Sequence, residues 1–269
     1  MDALNVPPQL AAAVADHPWP LVFATVSGAH LYGFPSKNSD WDLRGAHVLG
    51  LREVLGLTVK SQTVELFSDP ALDDTEMAPD GPQIELDLVT HDAHKFAALL
   101  LKRNGYVLEQ LLSPLVVHTS PAHAALVALA PGVLTRHHAH HYLGFSANQW
   151  TLLEKESVPR VKPLLYAFRT VLTGLHLMRM GEIQANLEVL NAGARLPFLT
   201  DLLALKRQGH EAEPLPGDLP FYRTQHARLL ARLEDAQTTT HLPAAVPEET
   251  RRAVSDWVVA VRVGELPCS

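Results

Sequence analysis

The chain has 269 residues, 47% of them hydrophobic and 19% charged, and a formal net charge of −7 at pH 7. That balance excludes intrinsic disorder and predicts a packed core in one large or two ordinary domains. The negative charge argues against a broad basic surface for long nucleic acid, while a small acceptor or an RNA end on a local patch is still compatible with it.

Cys268 is the one cysteine, so no disulfide framework or Cys-based zinc site can form within the chain. No signal-peptide pattern and no apolar run of membrane-spanning length is visible, which predicts a soluble cytoplasmic protein with no membrane partner. Residues 7–17 read as a short amphipathic helix and 19–27 as a strand whose apolar run predicts burial. Gly28 breaks the strand, and residues 29–32 can form one helical turn closed by Gly33. A glycine turn of this kind exposes backbone N–H groups that suit a phosphate. A polar turn at 35–39 leads to Asp40-Trp41-Asp42. On a strand over 40–49, Asp40 and Asp42 share a face and Trp41 points to the other. Two carboxylates so placed repel unless a cation lies between them, and Mg²⁺ prefers one or two carboxylates plus substrate phosphates. A phosphate-cradling turn beside a carboxylate dyad is the equipment of two-metal phosphoryl transfer.

The stretch S-G-A-H-L-Y-G-F-P-S-K-N-S-D-W-D-L-R-G, residues 27–45, resembles the G-S-x(n)-D-x-D signature of the DNA polymerase β-like nucleotidyltransferase superfamily. Its wording is closest to the stand-alone RNA-repair-pathway DNA polymerase β family, most clearly over residues 22–115. The signature has Ser after the first Gly, and here that position is Ala29. The phosphate contact of that hydroxyl would then come from backbone N–H, or from Ser27 or Ser39.

Residues 51–55 predict a short helix or turn and 58–67 a strand. Residues 68–82 carry five acids among prolines, in a spacing that matches no EF-hand, and read as a surface loop. Residues 83–89 predict a strand with Glu85 and Asp87 on one face and Ile84, Leu86 and Leu88 on the other. The resemblance implies a third catalytic acid on a strand beside the dyad. Asp87 is the candidate, with Glu85 the alternative. Thr90 or Asp92 can cap a helix over 93–102, Asn104-Gly105 stops it, and another helix starts at 107–112.

Beyond Pro131-Gly132 no strand pattern recurs. Helices are predicted at about 136–157, 161–179, 183–191, 198–206, 221–237 and 248–263. Lys162, Tyr166 and Arg169 share one helix face, where a cation, an aromatic plane and a guanidinium can grip a triphosphate and stack a base. Arg44 shares the dyad's face and can either contact phosphate or neutralise the acids. Arg136–His141, R-H-H-A-H-H, admits three readings: a packed or surface cluster, a metal site through His137 and His141, or the R-x4-H pattern of HEPN-type ribonucleases.

The resulting expectation is an α+β fold: a small mixed sheet with flanking helices in residues 1–130, then an all-helical nucleotide- and substrate-binding domain in 131–269. Asp40, Asp42 and Asp87 are the expected catalytic and metal-binding residues, with two Mg²⁺ ions as cofactor and Mn²⁺ able to substitute. Gly28, Ala29, Ser39, Arg44, Lys162, Tyr166 and Arg169 are the expected nucleotide-binding residues. The partners are an NTP and a hydroxyl acceptor, which the resemblance implies to be an RNA 3′ end. Two other functions stay open. One is a nucleotide-binding or regulatory module, or a ribonuclease-linked partner, without turnover. The other is a transferase acting on a protein or small-molecule hydroxyl.

Overall fold

The computed structural model describes residues 7–58, 60–68, 84–209 and 214–268. The acidic loop read in 68–82 falls almost wholly outside these residues. Helix α1 (Pro8–Ala15) starts with proline at its first position, where a missing N–H costs no helical bond. Strand β1 (Leu21–Val26) is buried at all six residues, as a central strand should be. The single turn α2 (Gly28–Tyr32) ends at Gly33, whose φ of 84° suits a residue without a side chain. Strand β2 (Trp41–His47), the short α3 (Leu51–Leu55) and β3 (Thr63–Ser68) follow.

In β4 (Leu86–Asp92) alternate residues are buried, so the in-and-out pattern read from the sequence holds while the strand starts three residues later. The Asp92 carboxylate accepts from His94 N at 3.0 Å and caps α4 (Ala93–Leu101). Asn104 caps α5 (Gly105–Leu111) in the same way, by accepting from Tyr106 N.

Strand β5 (Val116–His118) and α6 (Pro121–Val133) were not expected from the sequence. A three-residue strand carries no periodicity to read. The helix P-A-H-A-A-L-V-A-L-A-P-G-V is apolar nearly all round, and Pro131 falls in its last turn, where a break was expected. The remaining helices are α7 (His138–Lys155), α8 (Val161–Met180), α9 (Leu187–Ala194), α10 (Pro197–Gln208), α11 (Leu219–Thr239) and α12 (Glu248–Arg262). Among the described residues, no helix is long and apolar enough to cross a membrane.

The sheet runs β3-β4-β2-β1-β5. Strands β2 and β4 are parallel, and the other neighbours are antiparallel. A small cluster of Leu10, Val26, Leu43, Leu86 and Leu88 packs α1 under one face. Residues 42, 44 and 87 alternate with these leucines and therefore project from the other face. The main core is continuous from Phe23 and Phe96 through Tyr142 and Phe168 to Trp257. A sheet flanked by helices and followed by a helical region is the predicted fold class.

Candidate active site

Ser27 follows β1, and its N–H donates to the Asp42 carbonyl at 2.8 Å, which places the glycine turn directly over β2. Gly28 has a φ of +59°, and a Cβ there would overlap Asp42 Oδ2. Any side chain at this position would push the carboxylate aside. Ala29 is buried beneath the same turn, and the Ser27 hydroxyl is buried with no hydrogen-bond partner among the described residues. Such a buried orphan is costly unless a ligand engages it.

The parallel register of β2 and β4 pairs Asp42 with Asp87 as direct neighbours. Asp40 lies just before β2, and its charge acts on Asp42. Glu85 lies just before β4 and is exposed. Of the two candidates for a third acid, Asp87 is the one the register brings beside the dyad.

Arg44 occupies the space between the acids. Its Nη2 donates to Asp42 Oδ1 at 2.6 Å and to Asp87 Oδ2 at 2.8 Å, and Nη1 donates to the Asp87 carbonyl at 2.7 Å. Its Nε donates to the Tyr106 hydroxyl at 3.1 Å, which fixes the guanidinium plane from α5. Burial raises the Asp42 pKa to about 6; Arg44 opposes that shift, and the charges of Asp40 and Asp87 add to it. Desolvation and carboxylate crowding therefore outweigh the guanidinium. This is a site short of positive charge even with Arg44 in place.

Oxygen donors of this kind suit a hard divalent cation, and Asp42 Oδ2 on the Gly28 side is not taken by Arg44. Among the described residues no three His, Cys, Asp or Glu side chains are drawn together as a metal cage in this conformation. In the Asp87 carboxylate Arg44 touches Oδ2 and leaves Oδ1 to a ligand.

Ser39 is half-buried, and its hydroxyl accepts from Ser36 N at 2.9 Å, which closes the polar turn before Asp40. Trp41 stacks on His30, with ring centroids 3.7 Å apart. Helix α8 turns the Lys162, Tyr166 and Arg169 face toward this half of the molecule, but the three side chains separate in role. Lys162 lies near enough to Asp42 to lower its pKa. Tyr166 sets its ring edge-on to Tyr32 and Phe34 at 5.4 and 5.5 Å.

Arg169 does not fit the expected nucleotide contact. It is 3% exposed, donates to Glu109 Oε2 at 2.9 Å and lies 3.7 Å over the Tyr32 ring. Reaching an NTP would mean breaking a buried ion pair. Its sequence signal, a cation at helical spacing from Lys162, cannot reveal an acid on another helix.

The helical region also grips the glycine turn. Arg207 Nη2 donates to the Gly33 carbonyl at 2.6 Å, and the Asn186 side chain fills the space where a Gly33 Cβ would sit. Sequence reasoning missed Tyr106, Arg207 and Asn186, because each acts through a long-range contact.

The histidine run divides. His138 is fully buried and bonded to Thr135, His141 packs between Tyr142 and Phe145, and His140 bonds Gln237. No metal cage forms from it among the described residues.

Comparison with curated proteins finds no match. Comparison with family models finds one over residues 5–260, which include the glycine turn, the three aspartates and all of α8. On that match, and with this fold, the chain belongs to the RNA repair pathway DNA polymerase beta family.

Proposed function

We propose that the protein transfers a nucleoside monophosphate from an NTP to a hydroxyl acceptor, with an RNA 3′ end as the acceptor. The family description supports a polymerase β-like nucleotidyltransferase in RNA repair at a coarse level. The observation that carries the finer reading is Asp42 in register with Asp87, with Gly28 bare against the Asp42 carboxylate.

In this reading the backbone N–H groups of Gly28 and Ala29 and the Ser27 hydroxyl receive the triphosphate. The hydroxyl makes up for the serine that Ala29 lacks. Lys162 adds positive charge from α8, and Arg44 swings from the acids toward phosphate. Asp40, Asp42 and Asp87 would hold two Mg²⁺ ions, or Mn²⁺, which when bound supply charge neutralisation at the attacking and leaving oxygens. Asp87 takes the proton of the attacking hydroxyl. Rate enhancement comes from positioning and preorganised charge rather than covalent chemistry.

The test is incubation with Mg²⁺ or Mn²⁺, each labelled NTP, and a panel of 3′-hydroxyl RNA, DNA and protein acceptors. Asp42→Asn and Asp87→Asn should each abolish transfer, and Glu85→Gln should be far milder. Reversal of the last two would make Glu85 the third acid. The competing reading, a nucleotide-binding module without turnover, draws on Ala29 and the Arg44 bridge. NTP binding by the wild type with no transfer to any acceptor would favour that module.

A further inference from the structure

Between the end of α4 and the start of α7 lies an open hollow of about 490 Å³. Lys102, Arg103, Asn104, His137, His140 and His141 line it, and no acidic residue does. Arg136 adjoins it: its Nε is buried without a partner, and its charge acts on His137. Neither Lys102, Arg103 nor Arg136 enters an ion pair among the described residues. Burial first, then Arg103, His140 and Arg136, lower the His137 pKa. His138, buried below, has an Nε2 with no partner and feels His141, Arg103 and His137. Arg103 has a φ of 64°, a left-handed position where glycine or asparagine is usual. In a chain of net charge −7, this is a local concentration of positive groups with no counter-charge among the described residues that line it. Such a hollow draws in an external anion.

Its position narrows the choice of anion. Asn104 leads through Gly105 to Tyr106, the residue whose hydroxyl holds Arg44 between Asp42 and Asp87. Gly105 lies so close to His141 and Tyr142 that a Cβ would clash with both. The hollow and the aspartates are thus joined through one tight turn, Asn104–Tyr106, so the anion this position favours is a strand whose 3′ end lies at the aspartates.

We infer that this hollow holds the phosphodiester backbone of the acceptor strand, upstream of the 3′-hydroxyl that reacts at the aspartates. The term acceptor rests on the nucleotidyl-transfer reading above; the phosphate-binding site itself does not.

The test is fluorescence anisotropy of the full chain with a short 5′-labelled single-stranded RNA, and with DNA of the same sequence, in chelator and without NTP. Lys102→Gln combined with Arg103→Gly removes two exposed cations and places glycine where the backbone is left-handed. A second pair, His137→Gln with His140→Gln, alters the other wall. Thermal melts check that both pairs fold. The first pair should weaken binding at least about tenfold, as expected for lost charged contacts. It should also make the slope of log K against log salt shallower by about 1.4, for two single-strand phosphate contacts. The acceptor KM should rise more than kcat falls.

Binding of either nucleic acid with these losses supports the site. Wild-type protein that binds neither, or both variant pairs keeping wild-type affinity within about twofold, overturns it. Displacement of the strand by sub-millimolar inorganic phosphate overturns it in favour of a lone-anion site. If strand binding behaves as expected and no transfer is ever detected, the transfer reading fails and this site stands. Intact transfer with unaltered variant affinity rejects the strand site alone.

Discussion

Asp42 is held between opposing influences, and their balance is measurable. Burial and the neighbouring acids raise its pKa to about 6 although Arg44 touches it. Its ordinary value is 3.8. Between these values the native protein binds a proton that the unfolded chain does not. Stability from this group is therefore greatest below pH 3.8 and falls as pH rises toward 6. A shift of roughly two units corresponds to at most about 3 kcal/mol. In chelator at pH 8, Asp42→Asn should melt higher than wild type, and its stability should vary less between pH 4 and 6. A lower melting temperature at pH 8 would mean that the Arg44 contact outweighs desolvation. Added Mg²⁺ should stabilise the wild type and not the variant, because a bound cation favours the ionised carboxylate.

At the scale of elements, α8 is the joint on which the site leans. Its Tyr166 rests on Tyr32 and Phe34, and its Arg169 is sealed against Glu109 of α5 and the Tyr32 face. Glu109 is 2% exposed, so removing its partner leaves a buried charge. Arg169→Ala should cost about 3–5 kcal/mol in urea unfolding. The double change Arg169→Met with Glu109→Leu should recover most of that loss, since apolar replacements remove both desolvation penalties together. NTP affinity of the folded double variant should stay near wild type. A large fall in affinity without a fall in stability would return Arg169 to the nucleotide. The same three residues share a helix face, but the charge of Lys162 acts on Asp42 while Arg169 is buried against Glu109.

At the scale of the whole molecule, the C-terminal helix is tied back to the sheet that carries the aspartates. Arg262 of α12 donates to both Asp92 oxygens at 2.7 and 2.9 Å, and also to the Leu49 carbonyl. Asp92 additionally accepts from Leu49 N and His94 N, each at 3.0 Å. Burial pushes the Asp92 carboxyl up, but the bonds from Arg262, Leu49 and His94 overcome it and hold its pKa below the ordinary value. With a depressed folded pKa, its contribution is present above pH 3.8 and is lost as pH falls through the lowered value. Arg262→Ala should cost about 3–5 kcal/mol by leaving a buried carboxylate without its cation. Amide exchange should then quicken in β4 and α4, far away in sequence. Unchanged protection of β4 would show that α12 packs without supporting the sheet.

The sequence by itself determined what depends on local periodicity and local backbone chemistry. Alternation assigned Asp42 and Asp87 to strand faces, although the expected strand over 40–49 begins one residue later and leaves Asp40 just before it, and glycine at the turn followed from the need for bare backbone. Helical spacing put Lys162, Tyr166 and Arg169 on one face, and the long amphipathic helices were legible with end errors of a few residues. Helix α6 was not legible, since it is apolar nearly all round, nor was β5, three residues long. Tertiary structure alone decided which faces meet. It set Asp42 in register with Asp87, placed Arg44 between them, buried Arg169 on Glu109, and gathered the α4–α5 turn with the histidine run into one basic hollow. The physical reason is that a periodic pattern fixes the direction of a side chain relative to its own element. Its charge partner, its desolvation and hence its pKa belong to whatever element packs against it.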